Sequence, residues 1–204
     1  MKEMIIRIQS DRDDADILIK SGDSEIFKKI RSATLVKKLI QYFQKENENE
    51  ILRYIPPGVV AYSENCQAIL EPEGKRIVTY DNRAYNIHFP NALYLVKSQG
   101  NKIVSIEAYS YKKWDGLKTK LYKYPMPNML GGNMICLGSA PRQIKDNDYK
   151  RALDMIIYTQ YSHAYVNNIK SFKNTVDYFE YLEKNTYPYD LLMDAKKKAG
   201  DLFA

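Results

Sequence analysis

Two periodicities take turns along the chain of 204 residues. Met4-Ile-Ile-Arg-Ile-Gln9 and Asp16-Ile-Leu-Ile-Lys20 are β-branched runs flanking the polar Ser10-Asp-Arg-Asp-Asp14, which predicts an N-terminal hairpin. At Ser32 the period lengthens. Leu35, Leu39, Tyr42 and Phe43 fall on one face of a helix that Ser32 would cap and Glu46-Asn-Glu-Asn-Glu50 would end. After the breaker Pro56-Pro57-Gly58 the pattern shortens again. Val59–Tyr62, Cys66–Leu70 and Arg76–Tyr80 read as strands, the last two separated by the turn Glu71-Pro-Glu-Gly-Lys75. Ala92–Val96 and Lys102–Ala108 flank Ser98-Gln-Gly-Asn101 as a hairpin. Strands joined by short loops predict an antiparallel sheet of about four strands, with helices to cover one face.

The helical period returns near Asn147, with Asp146 or Asn147 as cap. Tyr149, Ala152, Leu153, Ile156, Ile157 and Tyr161 follow the spacing of one helix face. Tyr178–Glu183 and Leu191–Lys197 read as two further helices. The fold class is therefore α+β, an antiparallel meander flanked by helices, with an added N-terminal β-hairpin and C-terminal helices. Expected boundaries are 1–31 for the hairpin, 32–170 for the central domain and 171–204 for the helical extension.

Composition narrows the function. No apolar run approaches the roughly 18 residues of a membrane span, and Met1-Lys-Glu-Met-Ile-Ile-Arg7 lacks a signal-peptide core, so a cytoplasmic protein without membrane partners is expected. Cys66 and Cys136 are then free thiols. Two cysteines and two histidines, scattered, give no metal-ligand spacing. Gly131-Gly132 is not followed by Lys-Ser/Thr, so no phosphate loop is present, and neither metal nor cofactor is expected. A net charge of +6 permits nucleic-acid binding, but the lysines are dispersed, densest at Lys196-Lys197-Lys198, and any such binding should be weak and salt-sensitive.

Candidate chemistry gathers on one loop. From Lys112 through Trp114, Pro125 and Pro127 to Gly132 the chain lacks a strand or helix pattern, which suits an active-site flap, with Trp114 as a packing anchor. The loop delivers Cys136, expected at a loop–strand junction in Ile135-Cys136-Leu137, with Asn128 eight residues before it. A thiol so placed can act as nucleophile and a nearby carboxamide can hold an oxyanion. Each has a plainer reading: cysteine between Ile and Leu as a small buried hydrophobe, and asparagine after proline as a turn residue. His163 lies seven residues after Ile156. If the helix persists it shares that face, either as a buried structural residue or as a base near the thiol. Cys66 reads as structural, and His88 has no assigned role.

Pro127-Asn128 followed at this spacing by Ile135-Cys136-Leu137 resembles the catalytic centre of the ubiquitin-conjugating enzymes, where His-Pro-Asn precedes the cysteine. Met126 here takes the histidine's place, and of the tryptophan-bearing segment after the cysteine only Pro141 remains. Thr119–Pro125, Gly132, Ile135–Ser139, Ile55–Tyr62 and Tyr158–His163 together are similar to the PRTRC system protein B family, a bacterial branch of that superfamily. The resemblance runs from about Leu35 to about Val166. It implies a ubiquitin-conjugating-like fold whose first helix is the one at Ser32. It also implies a ubiquitin-like carrier and an activating-enzyme-like protein as partners, with Cys136 as nucleophile, Asn128 as oxyanion donor and Pro127 and Gly132 shaping the loop. Two other readings stand beside it: a non-catalytic adaptor of the same fold, and a plasmid-associated nucleic-acid-binding protein.

Overall fold

Ala92–Val96 is apolar at every position, and the chain buries all five residues. A strand with that pattern needs cover on both faces. The computed structural model, which describes residues 2–8, 12–22, 24–46, 55–158, 160–162 and 168–203, supplies it. The chain divides into two units, Met1–Tyr54 and Ile55–Ala204.

The first unit holds β1 (Lys2–Ile8), β2 (Asp14–Ser21), β3 (Ser24–Arg31) and α1 (Ser32–Glu46). Its three strands pair antiparallel in the order β1-β2-β3, so the expected hairpin is one strand short. Ser24-Glu-Ile-Phe-Lys-Lys-Ile-Arg31 supplies the third strand, entered through Gly22 at φ 61°. Leu35 is buried, as its face requires. Ser32 does not cap α1; it is the first helical residue, and its buried Oγ has no hydrogen-bond partner among the described residues.

The second unit contains β4 (Val59–Ser63), β5 (Cys66–Glu71), β6 (Gly74–Tyr80), β7 (Arg83–Phe89), β8 (Ala92–Gln99), β9 (Lys102–Ser110) and β10 (Lys120–Lys123). Then come α2 (Tyr149–Ile157), β11 (Gln160–Tyr161), α3 (Thr175–Lys184) and β12 (Asp194–Lys198). The main sheet has six antiparallel strands in the order β12-β10-β9-β8-β5-β4. β6 and β7 leave it and form a hairpin of their own, turned by Asp81 and Asn82, both at positive φ. The two-residue β11 joins that hairpin through a short parallel pairing with β6, where the other named strands of the described residues pair antiparallel. Strands and helices segregate in this way in an α+β fold.

The main sheet has two covered faces where the sequence pattern predicts one. Tyr94 and Val96 point into a cluster with Leu153, Ile156, Tyr178 and Phe179 from the helices. Leu93 and Leu95 point the other way, into a smaller cluster with Tyr109, Tyr111 and Ala199, against which Trp114, Leu202 and Phe203 pack. In β9 an extra residue at Val104 shifts the register against β8, so Ile103 and Ile106 both face the larger cluster. Trp114 meets Tyr111 edge-on at 5.5 Å. Glu71, buried at the end of β5, accepts from Arg76 of β6 at 3.0 Å and pairs with Lys150 of α2 at 2.8 Å, joining three elements by one carboxylate.

Two helix expectations change at their ends. α2 begins at Tyr149 and is capped by Asp148, whose Oδ1 accepts from Arg151 N at 2.9 Å; Asp146 and Asn147 take left-handed conformations in the turn before it. α3 contains the expected Tyr178–Glu183 and is capped by Asn174. Leu191–Lys197 is not a helix. Tyr189–Leu191 makes a single 3₁₀ turn and Asp194–Lys198 is an edge strand, because β10 offers it backbone partners at Lys120 and Leu121. Among the described residues no helix is long and apolar enough to cross a membrane.

Candidate functional site

β10 runs into Tyr124-Pro-Met-Pro-Asn128, and all five residues are buried. The segment is therefore no flap. Two prolines lack N–H groups, so burying them leaves fewer donors to satisfy. Tyr124 donates or accepts across a 2.7 Å hydroxyl contact with Tyr94, and its carbonyl accepts from Asn168 Nδ2 at 3.0 Å. Met126 lies 1 % exposed, with the Tyr178 hydroxyl 4.0 Å from its sulfur. The residue standing in place of the eukaryotic histidine is thus a core side chain.

Beyond Met126 the chain makes a tight hairpin. Leu130 N donates to Met134 O at 2.7 Å, Met129 and Ile135 bridge antiparallel, and Cys136 N donates to Asn128 O at 2.7 Å. The register therefore sets Asn128 directly opposite Cys136, which is the physical content of their eight-residue spacing. Gly132 at φ 69° and Asn133 at φ 61° make the turn between them. The far arm is tied to the main sheet: Ile135 N donates to Ile106 O at 2.9 Å, and Met134 bridges to Glu107. Cys136 itself follows these bridges in irregular backbone, so Ile135-Cys136-Leu137 is not a strand.

Asn128 is buried at φ 64°, a left-handed conformation that asparagine tolerates better than most residues. Its Oδ1 accepts from Ser162 N at 3.1 Å. That contact fixes the orientation of the carboxamide, with its oxygen towards Ser162. Ser162 is not among the residues the sequence singles out; a backbone donor distant in the chain leaves no local signal. Cys136 is half-buried, and neither it nor Cys66 is in a disulfide.

Cys66 lies on β5 in a separate cleft of about 440 Å³ that also includes Lys97 and Glu107. Burial pushes its thiol up from the ordinary value, Lys97 works against that, and Glu107 adds to it. A thiol held protonated is a poor nucleophile. α2 ends at Ile157, so the helix face carrying Ile156 stops short of His163. His163 itself lies outside the described residues. His88 sits half-buried in β7. Among the described residues no three His, Cys, Asp or Glu side chains gather closely enough to hold a metal ion.

These features define an α+β protein whose half-buried thiol is held on a proline-bearing hairpin loop. The family model described as Prokaryotic E2 family D matches residues 34–195, and the chain belongs to that family. No curated protein and no solved structure matches it.

Proposed function

We propose that this chain is a ubiquitin-conjugating-like transferase of a bacterial ubiquitin-like pathway of PRTRC type, with the ubiquitin-conjugating fold built on the antiparallel main sheet. The observation that carries the reading is the hairpin register that sets Asn128 opposite Cys136 on a loop pinned to β9. The Cys136 thiolate attacks the thioester carbonyl at the carrier's C-terminus, forming a new C–S bond. The activating enzyme's cysteine leaves as thiolate and takes up a proton. An amine then attacks the same carbonyl, C–N forms, Cys136 leaves, and the amine's proton passes to a base, a role for which His163 is the candidate. In both steps charge collects on the carbonyl oxygen, where the Asn128 carboxamide acts as donor. No cofactor takes part in these steps.

One observation favours the adaptor reading. Asn128 has structural work of its own, holding a left-handed turn and accepting from Ser162 N, and this alone accounts for an asparagine at the position. A non-catalytic member would bind the carrier or activating enzyme without taking the carrier covalently. Incubation with the activating enzyme, carrier and ATP separates the two. The transferase gives an adduct that is lost on adding reductant, and Cys136→Ser converts it to a reductant-resistant oxyester or abolishes it. Co-precipitation with the carrier or activating enzyme but no adduct selects the adaptor.

A further inference from the structure

A cleft of about 680 Å³ opens beside β10 and β12, and lysines converge on it from four segments of the fold. Leu191 O accepts from Lys170 N at 3.2 Å and Met193 O accepts from Lys123 N at 2.8 Å, so one strap of chain holds Lys170 and Lys123 on either side of it. A shift in the β10–β12 register between Leu121 and Tyr122 lifts Ala195 and Lys196 out of the ladder, and Lys196 adopts φ 54°. Asp194 Oδ1 steadies that turn by accepting from Lys196 N at 2.7 Å.

The charges do not cancel. Lys112 pairs with Asp190 at 3.0 Å and Lys120 with Asp194 at 2.9 Å, and both ammonium groups lie near the Tyr122 ring, at 5.8 and 5.5 Å. For Lys123, Lys170 and Lys196 no ion pair is present among the described residues, so the cleft keeps an excess of three positive charges. Lysine on an edge strand is also a common guard against unwanted strand pairing. That role explains neither Lys123 and Lys170, which lie off the edge strand, nor a lysine held left-handed at a cost in backbone energy.

We propose that this cleft binds an extended, carboxylate-rich peptide segment of a partner protein. β12 is the outermost strand of the main sheet, so its far edge can offer main-chain hydrogen bonds to an added strand, with the three lysines selecting acidic side chains. The open edge of β12 favours a peptide over nucleic acid, because its main-chain donors and acceptors can pair with a peptide backbone and not with a phosphate backbone. The inference does not depend on Cys136 and is tested without it.

The probe is a fluorescein-labelled peptide of alternating glutamate and threonine, titrated with the full chain at low and high salt by fluorescence anisotropy. Saturable binding that weakens with salt is expected. Lys123→Ala/Lys170→Ala/Lys196→Ala should weaken it by about tenfold or more, the combined effect of removing several partly exposed charges at once. The exposed Lys102, Lys145 and Lys173 changed together to alanine remove the same charge elsewhere and should leave it nearly intact. Lys196→Asn, which keeps a left-handed-tolerant residue, should weaken binding with no change in melting temperature. No binding by the parent chain, an equal loss in both triple variants, or displacement of the peptide by duplex DNA at lower concentration than by unlabelled peptide would each overturn the proposal.

Discussion

Asn128 and Met126 stand two residues apart in one buried segment and make opposite demands on it. Asn128 needs a left-handed backbone and a partner for its carboxamide; Met126 needs an apolar socket beside Tyr178. From sequence, a loop amide looks dispensable for folding. Loss of the acceptor for Ser162 N and the left-handed backbone that alanine must then hold make Asn128→Ala costly, by about 1 kcal/mol or more. Asn128→Gly keeps the backbone conformation while removing the carboxamide and its contact with Ser162 N. For that variant, transfer from a preformed adduct to an amine should slow by about ten- to a thousandfold, the range for one lost oxyanion donor, in a single-turnover chase. At Met126 the prediction runs against analogy. Met126→His, which restores the eukaryotic residue, should lower stability by about 1–3 kcal/mol in urea denaturation, because it buries an imidazole where a thioether now packs. A gain in stability would show that the socket is polar.

The hairpin carrying the thiol depends on its turn. A Cβ built on Gly132 meets nothing within 4 Å, so substitution there costs backbone energy only. Gly132→Ala should destabilise by about 1 kcal/mol and Gly132→Asn by less, as measured by thermal unfolding at matched conditions. Other elements differ in how plainly the sequence announces them. The β8–β9 hairpin is readable because Gly100 and Asn101 mark its turn between apolar runs. β7 escapes notice although Tyr85, Ile87 and Phe89 alternate cleanly inward, because Asp81-Asn82 turns the chain without a glycine to announce it. β12 reads as a helix because Leu191–Lys197 has helix-forming composition, and only the distant β10 edge decides otherwise. At the site, the Asn128–Cys136 pairing is legible as a spacing. Its anchorage to Ser162 and Ile106 is not, since both partners are remote in sequence.

Over the second unit as a whole, the unusual resource is tyrosine, 18 in the full chain, several of which replace aliphatic residues in the core. Tyr94 pairs with Tyr124 at 2.7 Å and Tyr178 with Tyr187 at 2.9 Å, so the buried hydroxyls satisfy one another. Burial holds these four phenols, and that of Tyr161, above their ordinary value of 10.0. In the unfolded chain they would ionise near that value. Their contribution to stability is therefore complete below pH 10.0 and lost as pH rises above it. Tyrosinate absorbance from this core should appear together with loss of the circular-dichroism signal on alkaline titration. Ionisation of all 18 near pH 10 with the fold intact would contradict the packing described.

The central claim is that the carrier is held on one particular sulfur. Peptide-mass mapping of the Cys66→Ser variant, charged with activating enzyme, carrier and ATP and then digested without reductant, tests it most directly. The expected result is a single carrier-derived mass on the peptide containing Cys136, removed by thiol reductant, and in Cys136→Ser/Cys66→Ser either absent or resistant to reductant. A carrier mass on a lysine, or an adduct that disappears with Cys66 and persists without Cys136, would contradict it.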